Sequence, residues 1–580
     1  MASTSSLRMR RSAGQLHALA GVERQIRAND PNGRRRYLLD FSEAFRTYDS
    51  VLNPRNLPEL IEEADVALIA DYHALPASQY FAAALIESVA KITNRPIVVG
   101  VETIFSRDQL TLEDWFYKEL EENELRERIR FDLDWGYEWK PFYSLLESAR
   151  NHAEAIYGLD CMPREDLRKI SARDRHAALK MAEIREAHPE ALILIVFGES
   201  HLAPNHLPKL VREYLPKEHL ISVLQNVDAL YWRAAGETFD RVEAVQVSDD
   251  VVCVFNATPL EKYENYRLCL DRWSREGLGH PDLSPTIYNL IYGLLKFLSI
   301  HLYSPHNSTQ PKFLVDSLPA VYGRVTDSKI RKLLTRRGLT EEEKKRTLHQ
   351  VEELGCVYSP QINTFLIRDF HMVQAAEQAA RFLHQACRGL PDRLLANSRE
   401  RISRNRFGTA EKATAAAECT SEDTFYARAV EHALGYLGSR ILYPARPPVR
   451  EAELYELYDE TSEDIEQRTC FRFHEFMQMV DFLTLHRGFE LSPGRYSEPP
   501  KPIAEGLKYK AEKLDYVTRQ LGYMLGSDLY DAYLEGRVTR RLLKDFFLQH
   551  MEEPGRARLI YFNLVKRART VKRRARGAKA

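Results

Sequence analysis

The sequence predicts an α/β domain, a mostly parallel sheet flanked by helices, followed by a mostly α-helical region. Three observations carry that prediction. Short apolar runs rich in Val and Ile recur between residues 65 and 227, helical stretches alternate with them, and beyond residue 260 such runs give way to helical segments separated by polar or Pro-containing breaks.

Residues 1–37 read as a basic, partly amphipathic leader with a disordered tip. "DVALIA" (65–70) is expected as a strand, "PASQYFAAALIESVAKI" as a helix and "RPIVVGV" (95–101) as the next strand. There follow a helical region "LTLEDWFYKELEENELRERIR", the aromatic loop "DWGYEW" and the helix "PFYSLLESARNH". "AEAIYGLD" (153–160) gives a third strand, 165–187 a helix and "ALILIVFG" a fourth strand. "HLISVLQNV" (219–227) and "VEAVQVSDDVVCVFNA" (242–257), the latter alternating as a hairpin around Asp249-Asp250, complete the sheet. The domain is therefore expected over 38–260, a strand-free helical region over 261–565 and a basic disordered tail over 566–580. An internal echo, "LGYLGSRILY" (434–443) and "LGYMLGSDLY" (521–530), reads as a duplicated packing device, since glycines such as Gly522 and Gly526 let helices approach closely.

At 580 residues the chain has room for several domains, and 82 Lys+Arg against 83 Asp+Glu leave no global field for nucleic acid. Contact with RNA or anionic lipid is expected only through the basic tail. Seven cysteines without CxxC pairs fit reduced, mostly buried thiols. The N-terminus lacks an apolar signal core, and "YNLIYGLLKFLSIHLY" (288–303), broken by Lys296 and His301, falls short of the ~20 residues that span a bilayer. A cytoplasmic protein without a transmembrane segment is expected.

The strand ends hold the candidate chemistry. "VALIA" stops at Asp71-Tyr72-His73, "PIVVGV" at Glu102, "AIYGL" at Asp160 and "LILIVFG" at Glu199-Ser200-His201. In a parallel sheet such ends gather at the carboxyl edge, where ligands bind. Acids and imidazoles there can hold a divalent metal, with Asp71, His73, Glu102, Glu199 and His201 as ligands. Equally, His73, Glu102 and His201 can act as acid and base on a water nucleophile. Gly198-Glu199-Ser200-His201 begins like a nucleophile elbow, but Leu202 stands where that motif needs glycine, and no P-loop or G-x-G-x-x-G follows any strand.

"ADVALIADYHALPASQ", "VVGVETIFSRDQ", "DWGYEW", "YGLD" and "VFGESH" resemble the ChaN-like haem-binding family, within the superfamily that includes Tiki metalloproteases and erythromycin esterases. The family's first motif falls on Ala70, Asp71, Tyr72, His73 and Gln79, its second on Glu102, Phe105 and Gln109, and its last on Gly198 and His201. Asp71 stands for the usual Glu and Ala70 for a Gly, and there is no lipobox cysteine. The resemblance implies a domain that binds haem or a related iron ligand, in a homodimer, with Tyr72, His73 or His201 as axial ligand and Trp135, Tyr137 and Trp139 against the ring. Through the enzymatic relatives it implies a hydrolase as the alternative.

Overall fold

In the computed structural model, the described residues are 4–30, 36–161, 170–237, 242–274, 282–301, 318–388, 421–469, 471–491, 511–551 and 553–569. They form two compact units. One is Val22–Pro281, and the other combines Met1–Gly21 with Asp282–Ala580.

The first unit is built on eight strands: β1 (Ser50–Leu52), β2 (Val66–Asp71), β3 (Ile97–Phe105), β4 (Ala155–Asp160), β5 (Leu192–Gly198), β6 (Leu220–Gln225), β7 (Ala244–Ser248) and β8 (Val251–Val254). Their order is β1-β7-β8-β6-β2-β5-β3-β4. Every pair from β8 across to β4 is parallel, while β7 and β1 add an antiparallel edge. Continuous apolar runs suit the centre of such a sheet because both faces are covered. Ala67, Ile69, Leu192 and Leu194 enter one core, and Val66, Leu68, Ile193 and Ile195 the other.

Two features of register position the strand ends. β2 and β5 run side by side with Asp71 opposite Gly198. β3 continues past the expected end at 101 to Phe105, with a register shift against β4 between Val101 and Phe105. Gly158 of β4 makes this fit, since a Cβ there would meet the Ile104 carbonyl oxygen at 2.8 Å. Glu102 is thus held within a strand.

The unit boundaries differ from those read in the sequence. The helix Pro259–Ser274 belongs to the α/β unit, which reaches Pro281 instead of 260, because Tyr263 and Tyr266 bond to Asp228 and Asp30 of that unit. Of the expected leader, residues 1–3 and 31–35 lie outside the described residues, and the rest is mostly helical. The helix Thr4–Asn29 buries Leu7, Ala18, Leu19 and Val22.

The second unit is mostly helical but holds a three-stranded sheet where no strands were expected. β10 (Cys356–Ser359) and β11 (Thr364–Ile367) form a hairpin, and β9 (Ala320–Gly323) runs parallel to β11. Four-residue strands between long helices leave too little alternation for a period-2 pattern to show. The echoed glycines lie at helix crossings. A Cβ on Gly522 would meet His432 Cβ at 2.5 Å, and one on Gly526 the Ala433 carbonyl oxygen at 2.7 Å. "YNLIYGLLKFL" lies in the largely buried helix Ser284–Leu298, and among the described residues no helix is long and apolar enough to cross a membrane. Cys253, Cys269, Cys356 and Cys387 are buried free thiols and Cys161 an exposed one. Residues 570–580 of the basic tail, with Cys419 and Cys470, lie outside the described residues.

Candidate functional site

Glu102 is the centre of the strand-end cluster. Its Oε2 accepts the Gly198 backbone N–H at 2.5 Å and lies 3.4 Å from His73 Nε2. Its Oε1 accepts from the Arg173 guanidinium at 2.5 Å and lies 3.7 Å from His201 Nε2. A carboxylate has about four lone-pair sites, so these neighbours occupy it. Burial works against its ionisation, but His201, His73 and Arg173 outweigh burial and hold the carboxyl well below its usual range.

Each histidine is aimed by its own aspartate. His73 Nδ1 lies 2.7 Å from Asp71 Oδ2, and Gln79 donates to the other Asp71 oxygen. His201 Nδ1 bonds to Asp174. Burial alone would depress the His73 imidazole, but Asp71 and Glu102 reverse that and raise its pKa to about 9. Gly198 makes the cradle possible. A Cβ at that position would stand 2.8 Å from Glu102 Oε2, 3.3 Å from His201 Cδ2 and 3.4 Å from His73 Nε2.

Asp160 joins through Arg173, whose Nε and Nη2 each reach an Asp160 oxygen at 2.8 Å. Burial pushes the Asp160 carboxyl up even beside that cation. The strand ends therefore bring Asp71, His73, Glu102, Asp160 and His201 together as the sequence suggested.

Glu199 is turned elsewhere. Its carboxylate takes the Lys262 ammonium at 2.9 Å, and Lys262 also donates to the Asn226 carbonyl at 3.3 Å and lies 4.6 Å from the Tyr72 ring centroid. Burial pushes Glu199 and Tyr72 up, and Lys262, although buried, is raised by Glu199 and Asp228. The five residues read as metal ligands are thus not one ligand set. Among the described residues no group of three or more His, Cys, Asp or Glu could hold a metal ion. The physical reason is that Arg173 already supplies the cation between Glu102 and Asp160, while Lys262 claims Glu199.

The aromatic residues also divide. Trp135 and Tyr137 pack on His73, at 5.3 and 5.4 Å between ring centroids. Trp139 instead packs on Phe131 at 4.9 Å, and its indole N–H donates to Glu122. It serves the core under the helices rather than the cluster.

Arg173 and Asp174 were missed in the sequence. They come from the helix Ile170–Ala187, one turn before the buried Ala177 and Ala178, so they continue its buried face. Two charged residues on the apolar stripe of a helix were the available signal. Lys262 was missed because its helix was assigned to the other region.

The fold and this cluster define an α/β domain with paired acids and histidines at the carboxyl edge of a parallel sheet. Residues 57–200 match the family model described as haem-binding uptake, Tiki superfamily, ChaN, the family whose motifs the strand ends resemble. Among solved structures the chain is similar to ChaN of Campylobacter jejuni, described with cofacial heme binding, at 14% identity and a TM-score of 0.24, over 35% of this chain and 91% of that one. No curated protein matches the chain.

Proposed function

We propose that the strand-end cluster is an acid–base site that activates water for hydrolysis of an ester or amide. One observation carries the reading. Two histidines, each held by its own aspartate, aim their Nε2 atoms at a single anchored carboxylate. Such carboxylate–imidazole pairing fixes ring orientation.

The environments of the two rings support distinct roles for them. His73, with its pKa raised to about 9, carries a proton at neutral pH and acts as the acid. His201, oriented by Asp174, accepts the proton from water through Nε2. As the water oxygen bonds to the carbonyl carbon, its proton passes to His201. When the bond from that carbon to the leaving oxygen or nitrogen breaks, His73 gives the leaving atom its proton. Glu102, bound to Arg173 and Gly198, holds the two rings apart and stabilises charge on them.

A panel of p-nitrophenyl esters and amides tests this with the full chain. Hydrolysis is expected to fall by about 10²–10⁴-fold in His73→Ala and His201→Ala. Unchanged rates in both variants would remove the assignment.

The family match favours a second reading, haem binding. The histidines suit it poorly, because both nitrogens of each ring face carboxylates. Tyr72, at the same strand end, is the remaining ligand candidate, with its ring beneath Lys262 and edge-on to Tyr266. A haem titration followed by absorbance, lost in Tyr72→Phe and retained in His73→Ala, would favour this reading. Elemental analysis of the same preparation reports any bound metal.

A further inference from the structure

The helical unit contains a small module with a core of its own. The helices Asp327–Arg336 and Glu341–Leu354 are joined by the turn 337–340, in which Gly338 takes a φ of +76°. The hairpin of β10 and β11 follows the second helix, and β9, before the first, bonds to β11. Ile330 and Leu334 of the first helix, Leu348 and Val351 of the second, and Val357 and Leu366 of the hairpin are buried together. Threonines cap both helices, Thr326 accepting the Lys329 N–H at 3.4 Å and Thr340 the Glu343 N–H at 3.3 Å. Two helices across a tight turn, backed by a short sheet, form a frame that can hold one helix against a nucleic-acid duplex.

The outer side of the first helix carries charge of one sign. Between residues 320 and 340 the sequence has six basic residues and one acid, Asp327, which already accepts from Arg368. Ile330 and Leu334 turn inward, while Lys329, Lys332 and Arg336 recur at i, i+3 and i+7 on the exposed side. Arg324 before the helix and Arg337 at its end are exposed as well. Among the described residues none of these five has an ion pair. Lys329 Nζ lies 5.7 Å from the Tyr322 ring centroid, so the charged face begins beside β9. Arg331 and Lys345 are turned to another use. Both act on Glu341, whose carboxylate accepts from Lys344 at 2.7 Å. Cations three and four apart on a helix repel, and a polyanion laid along them relieves that repulsion. The near-zero charge of the whole chain conceals this local surface.

We propose that this face, formed by Arg324, Lys329, Lys332, Arg336 and Arg337, binds the phosphate backbone of a nucleic-acid duplex without reading its bases. The side chains select this partner over a bilayer. The apolar side of the helix is already buried in the module, and the exposed side adds Ser328 and Thr335, whose hydroxyls can donate to phosphate, in place of the Leu, Phe or Trp an interfacial helix inserts. Base reading is denied by the second helix. It opens with Glu341-Glu342-Glu343, acids where a reading helix meets the duplex, and its far end is held by Arg519 on Glu353 at 2.6 Å and by Gln350 on Asp515 at 3.5 Å.

Fluorescence anisotropy of the full chain with labelled DNA duplexes of ~20 bp and two unrelated sequences tests this, beside vesicles of phosphatidylserine and phosphatidylcholine. Equal binding of the two duplexes is expected, with log affinity falling against log salt at a slope of about −4 to −5 if all five cations meet phosphates. Lys332→Gln combined with Arg336→Gln should bind at least about tenfold more weakly, with a slope shallower by about 2. Both side chains are exposed, so the melting temperature of that variant should not fall. Arg541→Gln, which removes an exposed charge from the helix Arg540–Leu548 of the same unit, should bind as the unaltered chain does. Three results would each overturn the proposal: no duplex binding, whether or not vesicles bind; duplex binding unaltered in affinity and slope in the double variant, which places it on the basic tail; or an equal loss in Arg541→Gln, which reduces the effect to net charge.

Discussion

Around Glu490 in the helical unit, one carboxylate receives Arg487 at 2.5 Å, His486 Nδ1 at 2.8 Å and the Tyr561 hydroxyl at 2.5 Å. Around Glu102 in the α/β unit, one carboxylate likewise meets an arginine and histidine nitrogens. The residue types are alike and the surroundings are not. His486 has its second nitrogen on the Tyr426 hydroxyl and is enclosed by Phe425, Phe482 and Phe562. His73 keeps 12% of its side chain exposed, and its protonation is set by an acid outside the shared carboxylate. Composition alone therefore does not separate a structural lock from the cluster proposed here as reactive. Placement at a strand edge, and a histidine with solvent access, do.

The sharpest break of this contrast is Glu490→Ala, which leaves buried Arg487 with Asp528 alone and takes the shared acceptor from His486 and Tyr561. Stability should fall by about 3–5 kcal/mol in urea denaturation of the full chain. A loss below about 1 kcal/mol would mean that Glu490 is no lock. Next, His486→Ala opens a cavity among aromatic rings and should cost about 2–4 kcal/mol. Above pH 9, where the imidazolium and its contribution are lost, His73→Ala should cost about 1 kcal/mol or less, since Asp71 keeps Gln79 and Glu102 keeps Arg173 and Gly198. Equal losses in the two melts would erase the distinction.

Titration gives a comparison of the same kind. His73 rises from 6.5 to about 9 on folding, so its stabilisation is complete below pH 6.5 and is lost as pH rises through 9. The shift sets a ceiling of about 3 kcal/mol. Stability of the unaltered chain should fall across that window more steeply than that of His73→Gln, and parallel pH curves would contradict the assignment. Glu102 works in the opposite direction, its contribution disappearing only in acid. Gly198→Ala, which drives a methyl against Glu102 Oε2, should cost about 1–3 kcal/mol and disturb both histidines, read as a lowered melt together with lost hydrolysis.

Much of the α/β unit was legible because buried parallel strands leave long apolar runs that end abruptly. "LILIVFG" and "VALIA" announced both their strands and the residues delivered beyond them. Strand order then gathered Asp71, Glu102, Asp160 and His201 as a shared edge requires. Glu199 was readable only as an acid at that edge, because its direction depends on Lys262, distant in the chain. Trp139 was placed by its loop, while Phe131 and Glu122 decide where its ring lies. Arg173 and Asp174 lay hidden on a helix whose polar residues otherwise suggest solvent. The hairpin of β10 and β11 was too short to interrupt a helical pattern.

The first helix has a consequence for the order in which the protein can be made. Arg10 donates to the Leu534 carbonyl at 2.8 Å, and the Tyr533 hydroxyl donates to the Arg10 carbonyl at 3.3 Å, across more than five hundred residues of chain. A ribosome releases the chain from its N-terminus, and contiguous units fold as they emerge. The sheet-containing unit is nearly continuous in sequence and can close early. The start of the first helix has to remain without these partners until residues 533 and 534 are synthesised, so a segment made more than five hundred residues before its partners waits longest for its native neighbours.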